Sequence, residues 1–390
     1  MSAAIARVAA APGDDSDDPT PLDRDSDAVI AHHRPARRRR TLTWSLVVAT
    51  AALAVVSAGL GQLAIPVPEI LGSVALHTND ALSTIGLGGI RLPVAAVPSH
   101  PNADATLWSI RIPRITMALL VGAALAVGGA LMQGVFRNPL AEPGVVGVSS
   151  GAAVAASVAI VSGATFAGPL TSPLFAFVGG LVATFLVYLA ARSGGRTEVV
   201  TLVLTGIAVN AVCGAGIALA TFLSSTQQRE QIVFWQLGSL NGTRWQDVAI
   251  VAPVTAIGIV GALALAHRLD LLALGERQAR HLGVSIERTR VIAIVLVAVL
   301  TAAAVALCGI IAFVGLVVPH LVRLVLGPAH RALLSVSALG GALLLLAADT
   351  VARTAVPYAD LPIGMLTALV GGPFFFWLLR RTRLRSGGWG

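Results

Sequence analysis

Apolar segments of membrane-crossing length recur along this chain, and no other feature constrains its fold so tightly. About 20 apolar residues in helical conformation cross the roughly 30 Å of hydrocarbon in a bilayer. Segments of that kind lie near residues 42–62, 115–135, 144–162, 173–191, 199–223, 248–266, 291–310, 332–350 and 362–380. A helix satisfies its backbone polar groups within one segment, as lipid requires. A mean hydropathy of +0.82, with 56% hydrophobic and 12% charged residues, leaves too little polar surface for a soluble domain of 390 residues. The fold class is an all-α polytopic membrane protein.

A tenth, shorter run, Ile311–Leu326, carries Pro319, His320 and Arg323. Parity decides whether it spans. Arg34 and Arg37 to Arg40 precede the first span, and Arg380, Arg381, Arg383 and Arg385 follow the last. Basic flanks stay in the cytoplasm, so both termini are cytoplasmic and the number of spans is even. Nine becomes ten transmembrane helices. On that count 19 arginines fall inside and six outside (Arg91, Arg111, Arg114, Arg229, Arg244 and Arg353), leaving out Arg7 and Arg24 of the distal tail. The ten-helix domain covers residues 41–385. Spans two to five and seven to ten then run in opposite orientations about span six, the layout of an inverted repeat, without an accompanying internal sequence match. Residues 1–40 form a tail, acidic from Asp14 to Asp27 and then basic, whose low hydrophobicity predicts disorder.

Several chemistries are excluded or disfavoured. All 27 basic residues are arginine. Without lysine the chain cannot build a phosphate-binding loop of the G-x-x-x-x-G-K-[ST] type, nor a Schiff base; if ATP drives it, a partner supplies the site. Cys213 and Cys308, 95 residues apart in apolar runs, have no metal-ligand spacing and read as small core residues. Gly147-Val-Ser-Ser-Gly151 fits G-x-S-x-G, but it opens an apolar helix instead of a strand-to-helix turn, so close helix packing is the better reading. An H-E-x-x-H motif is absent. Ion-coupled carriers hold their ion on carboxylates or histidines at mid-membrane. The spans here offer only His320, Arg323 and Asp349, all near a membrane face, while Gln133, Thr205 and Asn210 do not titrate.

Between two apolar halves lies a polar island, His267 to Arg290. Gly275 can start a short helix with Glu276 in its first turn, where an acid favours the helix dipole, and Gly283 can stop it. Ser285 then caps a second helix with Glu287 in its first turn. Leu274, Ala279 and Leu282 offer a small apolar face, and Arg277, Arg280 and Arg288 supply charge. Residue physics alone leaves two readings open, an interfacial connector or a docking surface.

From about Arg111 to Arg381 the chain resembles the FecCD-type permease subunits of ABC importers for iron-siderophores, haem and vitamin B12. The resemblance rests on Arg111-Ile-Pro-Arg114, on Gly134-Val-Phe-Arg-Asn-Pro-Leu-Ala-Glu-Pro-Gly-Val-Val-Gly-Val-Ser-Ser-Gly151, on Leu274 to Gly283, and on Gly309-Ile-Ile-Ala-Phe-Val-Gly-Leu-Val-Val-Pro-His-Leu-Val-Arg323. Leu361-Pro-Ile-Gly364 through Gly371-Gly-Pro373 fits the family's last span. The resemblance implies a type II ABC importer permease fold in a bacterial plasma (inner) membrane. Its implied partners are a second permease (a homodimer, or a close paralogue), cytoplasmic ATP-binding subunits and an extracytoplasmic substrate-binding protein, with no nucleic acid. No cofactor is implied on this chain; ATP and magnesium belong to the partner.

The same resemblance assigns residues. Gly275, Glu276, Arg277, Arg280 and Gly283 would meet the ATPase as part of the coupling helices. Arg111, Arg114 and Arg353 would dock acidic residues of the binding protein, and opposite charge there gives orientation and on-rate. Asn138, Pro139 and Leu140 match the cytoplasmic gate, with a second gate around Thr197 to Val200. Thr205 and Asn210 would flank the pathway. Two features depart from the family pattern: the acidic tail, and an outer loop from Leu63 to Ile110 with five prolines. The expected function is import of an iron chelate, haem favoured over a ferric siderophore, by alternating access. A vitamin B12 permease is the alternative, and an ion-coupled secondary transporter a more distant one.

Overall fold

The computed structural model describes residues 21–94, 96–193 and 196–385. Residues 1–41 and 42–390 are separate units. The first 20 residues, with the acidic cluster Asp14 to Asp18, lie outside the described residues. Helix α1 (Pro21–Gly59) begins with a proline, whose fixed φ suits a first helical position.

Within residues 42–390 the long apolar helices are α4 (Ile112–Phe136), α6 (Thr171–Ala190), α7 (Val199–Leu223), α9 (Trp245–Ala273), α11 (Ile286–Cys308) and α13 (His330–Thr354). With the apolar part of α1 they make seven segments long enough to cross a membrane among the described residues, and three shorter apolar helices complete ten. The shorter ones are α5 (Val148–Ser162), α12 (Val314–Leu326) and the first part of α14 (Ile363–Arg385). The run containing Pro319 is a helix of its own.

Helix α3 (Ala103–Thr106) runs through a π-helical turn, Leu107–Arg111, into α4 as one continuous segment; outside the spans are α2 (Val67–Thr84), α8 (Thr226–Leu237), α10 (Glu276–His281), and a two-stranded ribbon, β1 (Arg192–Ser193) with β2 (Arg196–Thr197). The outer loop is ordered by its own polar contacts. The Trp108 indole donates to Ser73 Oγ at 2.9 Å, and His77 Nε2 pairs with Asp104 at 3.0 Å.

Small residues set the helix spacing. A methyl group on Gly122 would overlap the carbonyl of Gly341, and one on Gly129 that of Gly315, so α4 meets α13 and α12 backbone to backbone. Gly151 of α5 meets Gly179 of α6 in the same manner, which is the packing role expected for the Gly147–Gly151 stretch. The packed pairs repeat between halves: α4 on α13 and α11 on α6, α5 on α6 and α12 on α13, α4 on α12 and α11 on α5. This is the pattern that two copies of one structural unit produce.

Both short helices follow an interruption. Helix α4 ends at Arg137 in the left-handed region (φ 50°), and α5 starts only after Pro139, a 3-10 turn at Pro143–Val146 and Gly147 (φ 82°). Helix α12 starts after Gly309 (φ 69°) and Phe313 (φ 67°). One sequence expectation needs correcting. The second short helix of the island does not exist by itself: Ile286 opens α11, which runs on to Cys308. No breaker follows Ser285, so once the first turn forms, propagation costs little. Ser285 contributes through its carbonyl, which accepts the Thr289 N–H at 3.0 Å, and its side chain makes no capping bond.

Candidate coupling and gating sites

Helix α10 is a single surface helix bounded by two glycines that adopt positive φ, Gly275 (120°) and Gly283 (81°). The Gly283 and Val284 N–H groups bond back to the Arg280 and Ala279 carbonyls at 3.0 and 2.9 Å, closing the helix. Ala279 is fully buried against the bundle, whereas Leu274 and Leu282 are 62% and 59% exposed. The apolar face foreseen in the island therefore divides: one residue anchors the helix and two face outward. Arg277 and Arg280 are exposed beside them.

Beneath α10 sits Arg290, which sequence reasoning left among the generic charges of the island. It is 4% exposed. Its guanidinium donates to Glu276 Oε1 of α10 at 2.9 Å and to the Thr197 carbonyl at 2.5 Å. Thr197 is held a second time: its N–H and hydroxyl donate to Glu287 at 3.1 and 2.6 Å. A cleft of about 720 Å³ opens over this group, lined by Glu198, Val200, Glu276, Arg280 and Glu287 among others. The coupling segment and the Thr197–Val200 segment thus share one buried cation. The signal available in sequence was an arginine four residues into an apolar helix, where an unpartnered charge is costly.

Asn138 and Pro139 are exposed and Leu140 is half-buried. Asn138 Oδ1 accepts the Leu140 N–H at 2.9 Å, and the Asn138 carbonyl accepts the Ala141 N–H at 3.1 Å, so a side-chain turn fixes the break. Gln133, which could have lined a pathway, is buried and donates to the Leu316 carbonyl at 3.2 Å, joining α4 to α12. Glu142 joins the two interruptions: its carboxylate accepts the Phe313 N–H at 3.4 Å. Burial pushes the Glu142 carboxyl above the ordinary carboxylate range, and the Phe313 N–H partly offsets this.

Asn210 is half-buried, donates to the Gly144 carbonyl at 3.2 Å and accepts from Ser150. It braces the segment leading into α5. Thr205, also half-buried, is five residues earlier, roughly 140° around the helix at 3.6 residues per turn, so the two do not share a face.

On the opposite side, Arg111, Arg114 and Arg353 do converge, on a cleft of about 510 Å³ shared with Asn241 and Asp360. All three are committed inward, however. Arg111 donates to the Ala58 carbonyl at 2.5 Å and to that of Leu63. Arg114 pairs with Asp349 at 2.9 Å and Asp360 at 2.8 Å. Arg353 donates to the carbonyls of Leu60 and Ser57 and to the Ser57 hydroxyl. Their guanidinium groups brace the adjoining ends of α1, α4 and α13. Asp349 is a fully buried carboxylate that needs a cation beside it, and the carbonyls of the last turn of α1 (Ser57, Ala58) and just after it (Leu60, Leu63) lack onward helical partners.

A bundle of ten apolar helices, with two interrupted helices in matching positions and a surface helix braced by a buried cation, is that of a polytopic transport permease. The chain belongs to the FecCD transport family, which it matches over residues 49–381. It is 42% identical to the hemin transport system permease protein HmuU of Yersinia pestis, over 79% of this chain and 94% of that one. Against the cobalamin import system permease protein BtuC of Halobacterium salinarum the identity is 43%, over 85% and 89%. Against the Fe(3+) dicitrate transport system permease protein FecD of Escherichia coli it is 41%, over 78% and 95%. A solved metal-chelate type ABC transporter in an inward-facing conformation superposes with a TM-score of 0.73 at 31% identity, covering 88% of this chain and 99% of that one. The protein is accordingly the membrane-spanning permease subunit of an ABC importer and not an enzyme; ATP hydrolysis belongs to a separate subunit.

Proposed function

We propose that this permease imports haem into the cytoplasm by alternating access, delivered from outside by a binding protein and driven by ATP-binding subunits beneath. One observation carries the mechanism: Arg290 bridges α10 to Thr197, so displacement of α10 by a partner is passed directly to the segment entering α7. In this reading Gly275, Glu276, Arg277, Arg280 and Gly283 form the ATPase contact, with Leu274 and Leu282 as its exposed apolar element. Asn138, Pro139 and Leu140 form the cytoplasmic gate. Asn210 supports that gate from α7, and Thr205 lies along the same helix. Magnesium and ATP act in the partner, both termini lie in the cytoplasm, and a second copy of the chain completes the pathway.

The binding protein is placed over the outer cleft that Arg111, Arg114 and Arg353 wall, with those arginines shaping the cleft from within. The haem assignment is supported by the Asn138-Pro-Leu-Ala-Glu-Pro143 and Gly147–Gly151 wording and by the relative named for hemin transport. Relatives named for cobalamin and ferric dicitrate make those the competing cargoes. Titrating the cognate binding protein with haem, ferric siderophores and cobalamin tests the cargo; tight binding of cobalamin with no response to haem refutes the assignment. Uptake into proteoliposomes should require the ATPase subunits and ATP and ignore an imposed proton gradient. The reverse pattern would establish a secondary carrier.

A further inference from the structure

A groove between α6 and α11 has no role in the import mechanism above. Its volume is about 280 Å³, and its walls are Leu181, Phe185 and Tyr188 of α6 facing Val291, Val295 and Val299 of α11. The wall also contains Thr184, whose hydroxyl donates to the Gly180 carbonyl of its own helix at 3.0 Å, leaving its methyl group for the groove. Phe185 and Val295 are 58% and 54% exposed, so the groove opens sideways from the bundle at membrane depth. A slot with these walls takes a hydrocarbon chain; a polar ligand would find no partner in it.

Both walls continue into an arginine at the cytoplasmic end. On α11 the row 299, 295, 291 leads back to Arg288 at the three- and four-residue spacing that keeps residues on one helix face, and the α6 row 181, 185, 188 runs to the end of its helix, two residues before Arg192. Arg192 lies just past the end of α6, in β1, where it is paired with Thr197 of β2. Thr197 is bonded in turn to Glu287, the residue before Arg288. The ribbon therefore pins both arginines at one corner. Both are exposed, and neither forms an ion pair among the described residues. The nearby acids have other partners: Glu287 holds Thr197 and lies 3.9 Å from Arg290, and Glu198 accepts from Thr201 at 3.0 Å.

We infer that this corner is a binding site for an anionic phospholipid of the cytoplasmic leaflet, with one acyl chain in the α6/α11 groove and the phosphate on Arg192 and Arg288. Unpaired guanidiniums at the membrane surface favour a lipid with net negative charge, since a zwitterionic headgroup brings its own cation to the same place. The long arginine stems reach along apolar surface while their heads stay at headgroup level. The bound lipid would stiffen the ribbon that carries Thr197, the residue joined to α10 through Arg290. The inference is independent of which cargo the permease carries.

Native mass spectrometry of the detergent-purified full chain, incubated with equimolar phosphatidylglycerol and phosphatidylcholine, tests it. The expected result is preferential retention of phosphatidylglycerol, weakened at least about tenfold in the Arg192→Gln/Arg288→Gln variant and restored in Arg192→Lys/Arg288→Lys. Val295→Trp, which fills the groove and leaves both arginines, should lose the same lipid. Size-exclusion profiles matching the wild type establish that each variant is folded. Glycerol phosphate, a headgroup without acyl chains, should not compete. Equal retention of the two lipids, retention unchanged in the glutamine variant, or full competition by glycerol phosphate would each overturn the site. So would a disulfide between two copies carrying Phe185→Cys, because a second chain would then occupy the groove.

Discussion

Replacing Arg290 by Gln tests the proposed coupling path at its narrowest point. The substitution removes a charge-assisted hydrogen bond to the Thr197 carbonyl and an ion pair with Glu276. Removing one partner of a fully buried pair costs roughly 3–5 kcal/mol, because the other charge is stranded. Here the carboxylates are not stranded. The Glu276 side chain is 46% exposed and that of Glu287 27%, so water can replace the guanidinium at both. The pair with Glu276 is then worth at most about 1 kcal/mol, and the bond to the carbonyl about 1.5–3 kcal/mol. The sum, roughly 1.5–4 kcal/mol, is the free energy that ties α10 to the Thr197 segment, a factor of about 12–700 in the population of the connected state. Permease with its ATPase and binding protein, reconstituted in proteoliposomes, should therefore keep hydrolysing ATP while cargo uptake per ATP falls at least about tenfold. Arg290→Lys should rescue only weakly, since an ammonium cannot span both acceptors as the planar fork does. An Arg290→Gln complex with uptake per ATP within about twofold of wild type would refute the reasoning, whatever its stability.

Three further outcomes follow from the same geometry. Glu142 titrates above the ordinary carboxylate range, so its contribution to stability is full when it is protonated and is lost as pH rises through its folded value; thermal unfolding of purified permease followed from about pH 4 upward should show this loss, and Glu142→Gln should flatten it. Leu282→Asp should weaken co-purification of the ATPase subunit by about 1–3 kcal/mol, as expected for burying a charge at an apolar contact, and should leave binding-protein association unchanged; unaltered co-purification would remove Leu282 from the interface. Arg114→Gln leaves Asp349 buried without its nearest cation, so it should destabilise the chain by about 3–5 kcal/mol, and Arg114→Gln/Asp349→Asn should recover part of that loss in a double-mutant cycle.

The apolar helices were legible because they depend on run length, a local property. Even the Pro319 helix, shorter than the others, shows in the sequence as an apolar run of its own. The polar network was not legible, since it depends on contacts between residues far apart in the chain. Arg114 meets a carboxylate 235 positions away, and Arg290 meets a carbonyl 93 positions away. Sequence could place Arg111, Arg114 and Arg353 on one face, but not reveal their bonds to Asp349 and to carbonyls at the end of α1 and after it. The island shows the complementary limit: glycines mark the ends of α10, whereas the helix that begins after Ser285 carries no stop signal and continues into the apolar span as α11.

Where Gly122 meets Gly341 and Gly129 meets Gly315, no side chain stands between the backbones to absorb relative sliding. Helices α4, α12 and α13 are consequently keyed to one another like parts of a casting. Of the most apolar stretch of the α4 segment 83% is buried within the protein, against 17% for α7. A working stroke is expected in helices less enclosed by their own chain, with the keyed ones as the stator. Spectroscopic labels intended to follow the stroke belong on α7, with the reference label on α4, and distances among α4, α12 and α13 should stay constant through the cycle.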